Sequence, residues 1–376
     1  MRYFFLFLTL IICTCALAQT KRARDYGIVT GILDPGKFNA ITDVPGVRVG
    51  HITLIQGDSV NTGVTAVVPH SENIFRNKVP AAIYIANGYG KLTGYPQVEE
   101  LGNIETPIIL TNTLSVPVAA DALIDYTFRF KENADVRSVN PVVGETNDGS
   151  LNDIRSRLVT KEHVLEAILK AGSGFVEEGN AGAGTGTSCL GFKGGIGTAS
   201  RKIPESSGGY TVGVLVQTNF GGILQISGVP VGLELGKHKF SDIDNRYRED
   251  GSCMIVIMTD APLNPQNLKR LAKRSIFGIA RTGGSGSNSS GDFAIACSVS
   301  EDIRIPHTSV SIFQEFRFIR NENLDILFEA VIEATEEAII NSLFAARTVR
   351  TGNNIVMESL PIEKTLNILK KYNMIE

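Results

Sequence analysis

Three stretches, "YTVGVLVQTNFG" (210–221), "SCMIVIMTD" (252–260) and "DFAIACSVS" (292–300), are apolar at consecutive rather than alternate positions. Successive side chains of a strand point to opposite faces, so such runs have to be covered on both sides. A chain built on them needs at least one sheet lying between two other layers. Further strand-like runs fall at 63–69, 81–90 and 107–113, and residues 20–60 read as short extended pieces punctuated by Pro and Gly. Helical spacing appears at 161–172, 264–280, 324–346 and 361–372. Val164, Leu165 and Ile168 share one side of the first. The second has Asn264 as cap, Pro265 at its first position and a stripe of Leu268, Leu271, Ser275, Ile276 and Ile279. The third carries apolar residues three and four apart, with its glutamates expected on the far, solvent side. With no tandem repeat and no long linker, the reading is one α+β domain of sheets sandwiched between helices.

The chain opens "MRYFFLFLTLIICTCALAQTKR": a basic start, an apolar centre and Ala16-Leu17-Ala18 before Gln19. This is the pattern of a cleavable signal peptide, shorter than a comfortable membrane span of about 20 residues. Residues 1–18 are therefore expected to leave a mature chain at 19–376 that is secreted or periplasmic and free of the membrane. Cys13 and Cys15 would leave with them, and Cys189, Cys253 and Cys297, each among small or apolar neighbours, read as buried free thiols. A formal net charge of −3 and a pI near 6 argue against nucleic-acid binding.

Most catalytic signatures are missing. There is no G-x-S-x-G elbow, and His51, His70, His163, His238 and His307 are scattered, with no H-E-x-x-H pair and no Cys/His cluster of zinc spacing. The run "GNAGAGTGTSCLGFKGGIGTASR" (179–201) fails both nucleotide-loop patterns and reads as a place where backbone passes close to backbone or substrate. Two polar clusters, "RTGGSGSNSSGD" (281–292) and "VVGETNDGSLNDI" (142–154), read singly as turns.

The stretch "RYREDGSCMIVIMTDAP" (246–262) admits two readings: a turn leading into a core strand, or a site of chain cleavage. A cut between Gly251 and Ser252 would give Ser252 a free α-amine beside its own hydroxyl. An unperturbed α-amine has a pKa of about 7.7–8.0, so it could take the hydroxyl proton near pH 8 and replace the missing His.

Nine blocks in order, "RARDYGI", "NAITDVPGVRVGH", "TGVTAVVP", "VVGETNDG", "GNAGAGTGTSCLGFKGGIGTASR", "VQTNFG", "DGSCMIVIMTDAP", "RTGGSGSNSSGD" and "LFEAVIEATEEAI", together resemble the L-aminopeptidase/D-esterase and β-peptidyl aminopeptidase family of self-processing serine peptidases. The resemblance spans nearly the whole mature chain and implies no metal or organic cofactor. It implies a four-layer αββα sandwich similar to N-terminal nucleophile hydrolases but with different strand connectivity, and a homo-oligomer, commonly a tetramer of processed units. It implies self-cleavage at Gly251-Ser252 into chains 19–251 and 252–376, with Ser252 as nucleophile. Ser290 and Asp292 match the family's Ser-Gly-acid motif that orients the new amine, and Asn219 matches its oxyanion-stabilising Asn. The family's tyrosine near the tetrahedral intermediate has no counterpart here, because the region reads Asn147, Asp148, Gly149, Ser150. The implied reaction is hydrolysis of an N-terminal residue from a small peptide, amide or ester, and Glu145, with Asn147 beside it, is read as the holder of the substrate ammonium. An acyltransferase similar to ornithine acetyltransferase is the first alternative, disfavoured by Ser in place of that group's usual Thr. A secreted, non-catalytic binding protein is the second.

Overall fold

The alternation expected of a doubly covered strand is realised residue by residue in Ser252–Thr259. Met254, Val256 and Met258 enter a core between two sheets, and Cys253, Ile255 and Ile257 enter a second core shared with helices. The structure, a computed structural model, describes residues 21–238, 251–352 and 355–376. The signal segment and the run before Gly251 lie outside the described residues. The longer strands are β1 (Arg48–Gln56), β2 (Val60–Val68), β3 (Asn77–Gly88), β4 (Ile108–Asn112), β5 (Val142–Thr146), β6 (Ile196–Lys202), β7 (Thr211–Asn219), β8 (Ser252–Thr259) and β9 (Gly291–Ser298). The longer helices are α1 (Val116–Phe128), α2 (Lys161–Leu169), α3 (Pro265–Arg281), α4 (Asp325–Ala345) and α5 (Ile362–Lys371).

One sheet has the order β1-β2-β4-β5, and the other runs β3-β9-β8-β7-β6 with short pieces added on β3. Two neighbouring pairs are parallel, β4 with β5 and β8 with β9. A parallel pair needs a crossover, and α1 and α3 supply these two. Helices α1 and α2 cover the outer face of the first sheet with Val116, Leu123, Val164 and Ile168. Helices α3 and α4 cover the second with Leu268, Leu271, Val331 and Ile339. The sheets meet through Val67, Leu110, Leu215, Met254 and Ile295. The result is the α+β, four-layer αββα sandwich that the resemblance implied.

Asn264 caps α3 by accepting the Asn267 N–H at 2.8 Å, and the stripe Leu268, Leu271, Ser275 and Ile279 is buried as read. Cys189, Cys253 and Cys297 are buried, and none of them is in a disulfide among the described residues. Three expectations need correction. Helix α1 follows its strand with no apolar break and was not anticipated. Residues 48–56 form a nine-residue strand rather than short pieces, and residues 142–146 form a buried strand rather than part of a turn. Three of the four glutamates of α4 do not face solvent: Glu333, Glu336 and Glu337 are buried, and Glu329 alone is partly exposed, beside Arg281. Arg201 on β6 donates through Nε to Glu333 at 2.8 Å and through an Nη to Glu337 at 2.7 Å, while Arg24 donates to Glu337 at 2.7 Å. The far side of α4 is thus covered by β6 and by the N-terminal segment, whose Ile32 and Leu33 N–H groups also donate to Glu333.

Candidate active site

The site lies at one edge of the second sheet, where β7 and β3 end and β8 and β9 begin. Register puts Asn219 opposite Ser252 across the antiparallel β7–β8 pair, and Ser252 opposite Gly291 across the parallel β8–β9 pair. Residues 33 and 39 positions apart are thereby fixed to one line by ladder hydrogen bonds.

Ser252 is buried, and its Oγ donates to the carbonyl oxygen of Gly251 at 2.6 Å. The same oxygen accepts the Gly291 N–H at 3.1 Å. Ser290 is also beside this junction, since a Cβ built on Gly251 would lie 3.1 Å from its Oγ. Ser290 Oγ donates to Asp292 Oδ1 at 2.9 Å, and Asp292 also accepts the Cys253 N–H. Burial pushes the Asp292 carboxyl up to about 6, against the opposing pull of those two donors.

Asn219 is held at both ends of its amide. Oδ1 accepts the Ser188 N–H at 3.1 Å, and Nδ2 donates to the Asn147 carbonyl at 2.9 Å. Asn147 therefore reaches the site through its main chain; its exposed side chain turns back to accept the Gly149 N–H at 2.9 Å. Gly149 and Ser150, in the region where the family's tyrosine has no counterpart, are exposed on this turn.

Glu145, buried at the end of β5, accepts the Lys91 N–H at 2.9 Å and the Thr113 hydroxyl. Its link to Ser290 runs through residues 89–91, because Tyr89 N–H donates to the Ser290 carbonyl at 3.1 Å. The structure thus gathers Gly251, Ser252, Ser290, Asp292 and Asn219 directly, Asn147 by its carbonyl, and Glu145 through one loop. Two open clefts, of about 550 Å³ beside Tyr210 and Phe318 and about 290 Å³ beside Leu114 and Lys161, include none of these residues. The chemistry, rather than cleft size, locates the site.

Sequence reasoning missed Ser188 and Gly291, which act through backbone N–H groups and leave no side-chain signal. It also passed over Asp148, buried, raised to about 6 by that burial, and with Oδ2 unpartnered. Lys193 was missed as well, although it is the one cation inside an otherwise uncharged glycine run from 179 to 200. That run behaves as expected: a Cβ on Gly195 would overlap the Gly179 carbonyl, and one on Gly184 would overlap the Ile196 nitrogen. Among the described residues no group of three or more His, Cys, Asp or Glu side chains could hold a metal ion.

A family model described as Peptidase family S58 matches residues 39–356. The β-peptidyl aminopeptidase BapA of Sphingosinicella microcystinivorans is 42% identical, over 96% of this chain and 95% of its own length. Among solved structures, the PH0078 protein of Pyrococcus horikoshii OT3 matches with a TM-score of 0.86 and 48% identity, over 94% of this chain and 99% of that one. The L-aminopeptidase D-Ala-esterase/amidase of Ochrobactrum anthropi, described as a variant among the Ntn hydrolase fold, matches with a TM-score of 0.86 and 36% identity, again over 94% and 99%.

Proposed function

The chain belongs to peptidase family S58, and from that membership we propose that it is a self-cleaving serine aminopeptidase acting through an acyl-enzyme on Ser252. The observation that carries the proposal is the Gly251–Ser252 junction, where a hydroxyl and a backbone N–H meet on the carbonyl about to be attacked. Ser252 Oγ bonds to the Gly251 carbonyl carbon, the C–N bond breaks, and the hydroxyl proton goes to the departing nitrogen. The Gly291 N–H takes the charge that develops on the carbonyl oxygen. Water then hydrolyses the resulting ester, leaving chains 19–251 and 252–376 and a free amine on Ser252.

In the processed enzyme that amine serves as base for Oγ, with Ser290 and Asp292 orienting it. Asn219, directly across the ladder, donates to the oxyanion of the substrate; such donors are worth about 10²–10³ in turnover. Glu145 receives the substrate ammonium by way of the 89–91 loop. The substrate class is an N-terminal aminoacyl residue on a small peptide, amide or ester, the chemistry shared by the names of the relatives above. Secretion behind a signal peptide cut after Ala18, and assembly into a homo-oligomer of processed units, complete the proposal.

Intact mass of the purified, denatured protein tests it. Two species, one beginning at Ser252, are expected, with a single inactive chain in Ser252→Ala. An uncut chain that hydrolyses L-, D- or β-aminoacyl anilides even as Ser252→Ala would overturn the mechanism.

A further inference from the structure

Lys193 is fully buried and, among the described residues, is paired with no carboxylate, an unusual state for a residue almost always exposed or ion-paired. Its ammonium donates instead to two main-chain carbonyls, of Gly184 at 2.9 Å and Gly194 at 2.8 Å. These belong to separate parts of the glycine-rich run. Gly184 closes a turn, Gly182–Gly184, fastened to the first sheet and its neighbour: Gly182 N–H donates to Thr53, Ala183 N–H to Thr65, and the Ala183 carbonyl accepts from Gln217 on β7. Gly194 adjoins a two-residue hairpin in which Lys193 pairs with Ser188. Ser188 is the residue whose N–H fixes Asn219 Oδ1, and so decides which way the amide's donor end points.

We propose that Lys193 is a positioning residue for Asn219. By drawing the Gly184 and Gly194 carbonyls onto one ammonium, it holds the Ser188 hairpin at a set distance from the sheet-anchored turn. The Asn219 amide is thereby kept in the orientation that offers Nδ2 to the oxyanion. Glycine on both sides lets the two carbonyls converge, since a Cβ on Gly194 would lie 2.6 Å from that of Cys189. Burial lowers the lysine to about 7, so the brace weakens in charge near neutral pH, within the range where the enzyme is expected to work.

This rests on the reading of Asn219 as oxyanion donor, and a double-mutant cycle separates the two. Turnover per active site and KM are measured for wild type, Lys193→Met, Asn219→Ala and the double variant on an aminoacyl anilide. Lys193→Met is expected to lower kcat about 10- to 100-fold while KM moves less than about threefold, and to cost less than about threefold once Asn219 is gone. If Asn219→Ala itself leaves kcat unchanged, the oxyanion reading fails and the inference with it. If Asn219→Ala is slow but Lys193→Met costs the same factor in both backgrounds, the inference alone is overturned. Should Lys193→Met not fold, Lys193→Gln, which keeps an uncharged NH2 donor on a shorter side chain, takes its place in the same cycle. Failure of both to fold would also overturn the inference, because Lys193 would then support the fold rather than the amide.

Discussion

Asp292 imposes a cost on the uncut chain that its removal should recover. In the structure the chain runs unbroken through Gly251–Ser252, and the Asp292 carboxyl is raised from 3.8 to about 6, chiefly by burial. An acid whose folded value lies above its unfolded value binds protons more readily when folded. Its burden on stability is therefore absent below about pH 4, grows between pH 4 and 6, and is constant above. A shift of about two units corresponds to about 3 kcal/mol at pH 8 and about half of that at pH 5. Asn at this position still presents an oxygen to the Ser290 hydroxyl and the Cys253 N–H. Asp292→Asn in a Ser252→Ala background, which keeps the chain whole, should then be more stable by up to about 3 kcal/mol at pH 8, with the gain shrinking toward pH 5. Urea unfolding at both pH values measures it; Asp148, also raised to about 6, titrates alike in both proteins and cancels in the difference. A variant no more stable than its parent at pH 8, or a gain that does not shrink with acid, would refute the reasoning.

Glu145→Gln should raise KM strongly while leaving self-cleavage intact, read from anilide kinetics and intact mass; an unchanged KM would remove Glu145 from substrate binding. Arg201→Met removes the buried cation shared by Glu333 and Glu337, leaving Glu333 to the Ile32 and Leu33 N–H groups and Glu337 to Arg24 and Asn39. It should cost about 3–5 kcal/mol, measured by urea unfolding of the Ser252→Ala chain. A loss under about 1 kcal/mol would mean the two carboxylates find other partners. Activity should climb from pH 6 to 8 as the Ser252 amine loses its proton, around its ordinary 7.7–8.0. A flat pH–rate profile over that range would exclude the amine as base.

The layered fold was legible because burial on both faces leaves a mark in composition: a run such as Met254–Met258 cannot sit at a surface. The glutamates of α4 were misread for a related reason. Spacing by three and four reveals a polar face, but what covers that face is Arg201, more than 120 residues away, and an N-terminal segment with no regular element. Ser252, Asp292 and Ser290 stood out as motif, whereas their meeting with Asn219 depends on sheet register that spacing does not encode. Ser188 and Gly291 enter through backbone N–H groups, which every residue but proline carries, so nothing in their identity announces them.

Cleavage should reverse the sign of Asp292's contribution. Ser252 is buried, and a terminal ammonium formed there needs a partner within the protein. Asp292, joined to Ser290 beside Gly251 and to the Cys253 N–H one residue on, is the acid next to that new charge. An adjacent positive charge favours the carboxylate and brings its pKa down again, so the group that burdens the uncut chain stabilises the cut one. The two forms should then differ in how stability responds to pH. Between pH 5 and 7 the Ser252→Ala chain should lose about 1 kcal/mol through Asp292, and the processed protein should not. That window lies below the ordinary pKa of the amine, about 7.7–8.0. Parallel declines in the two proteins would mean that the new amine does not reach Asp292, and that the carboxylate orients something other than the base.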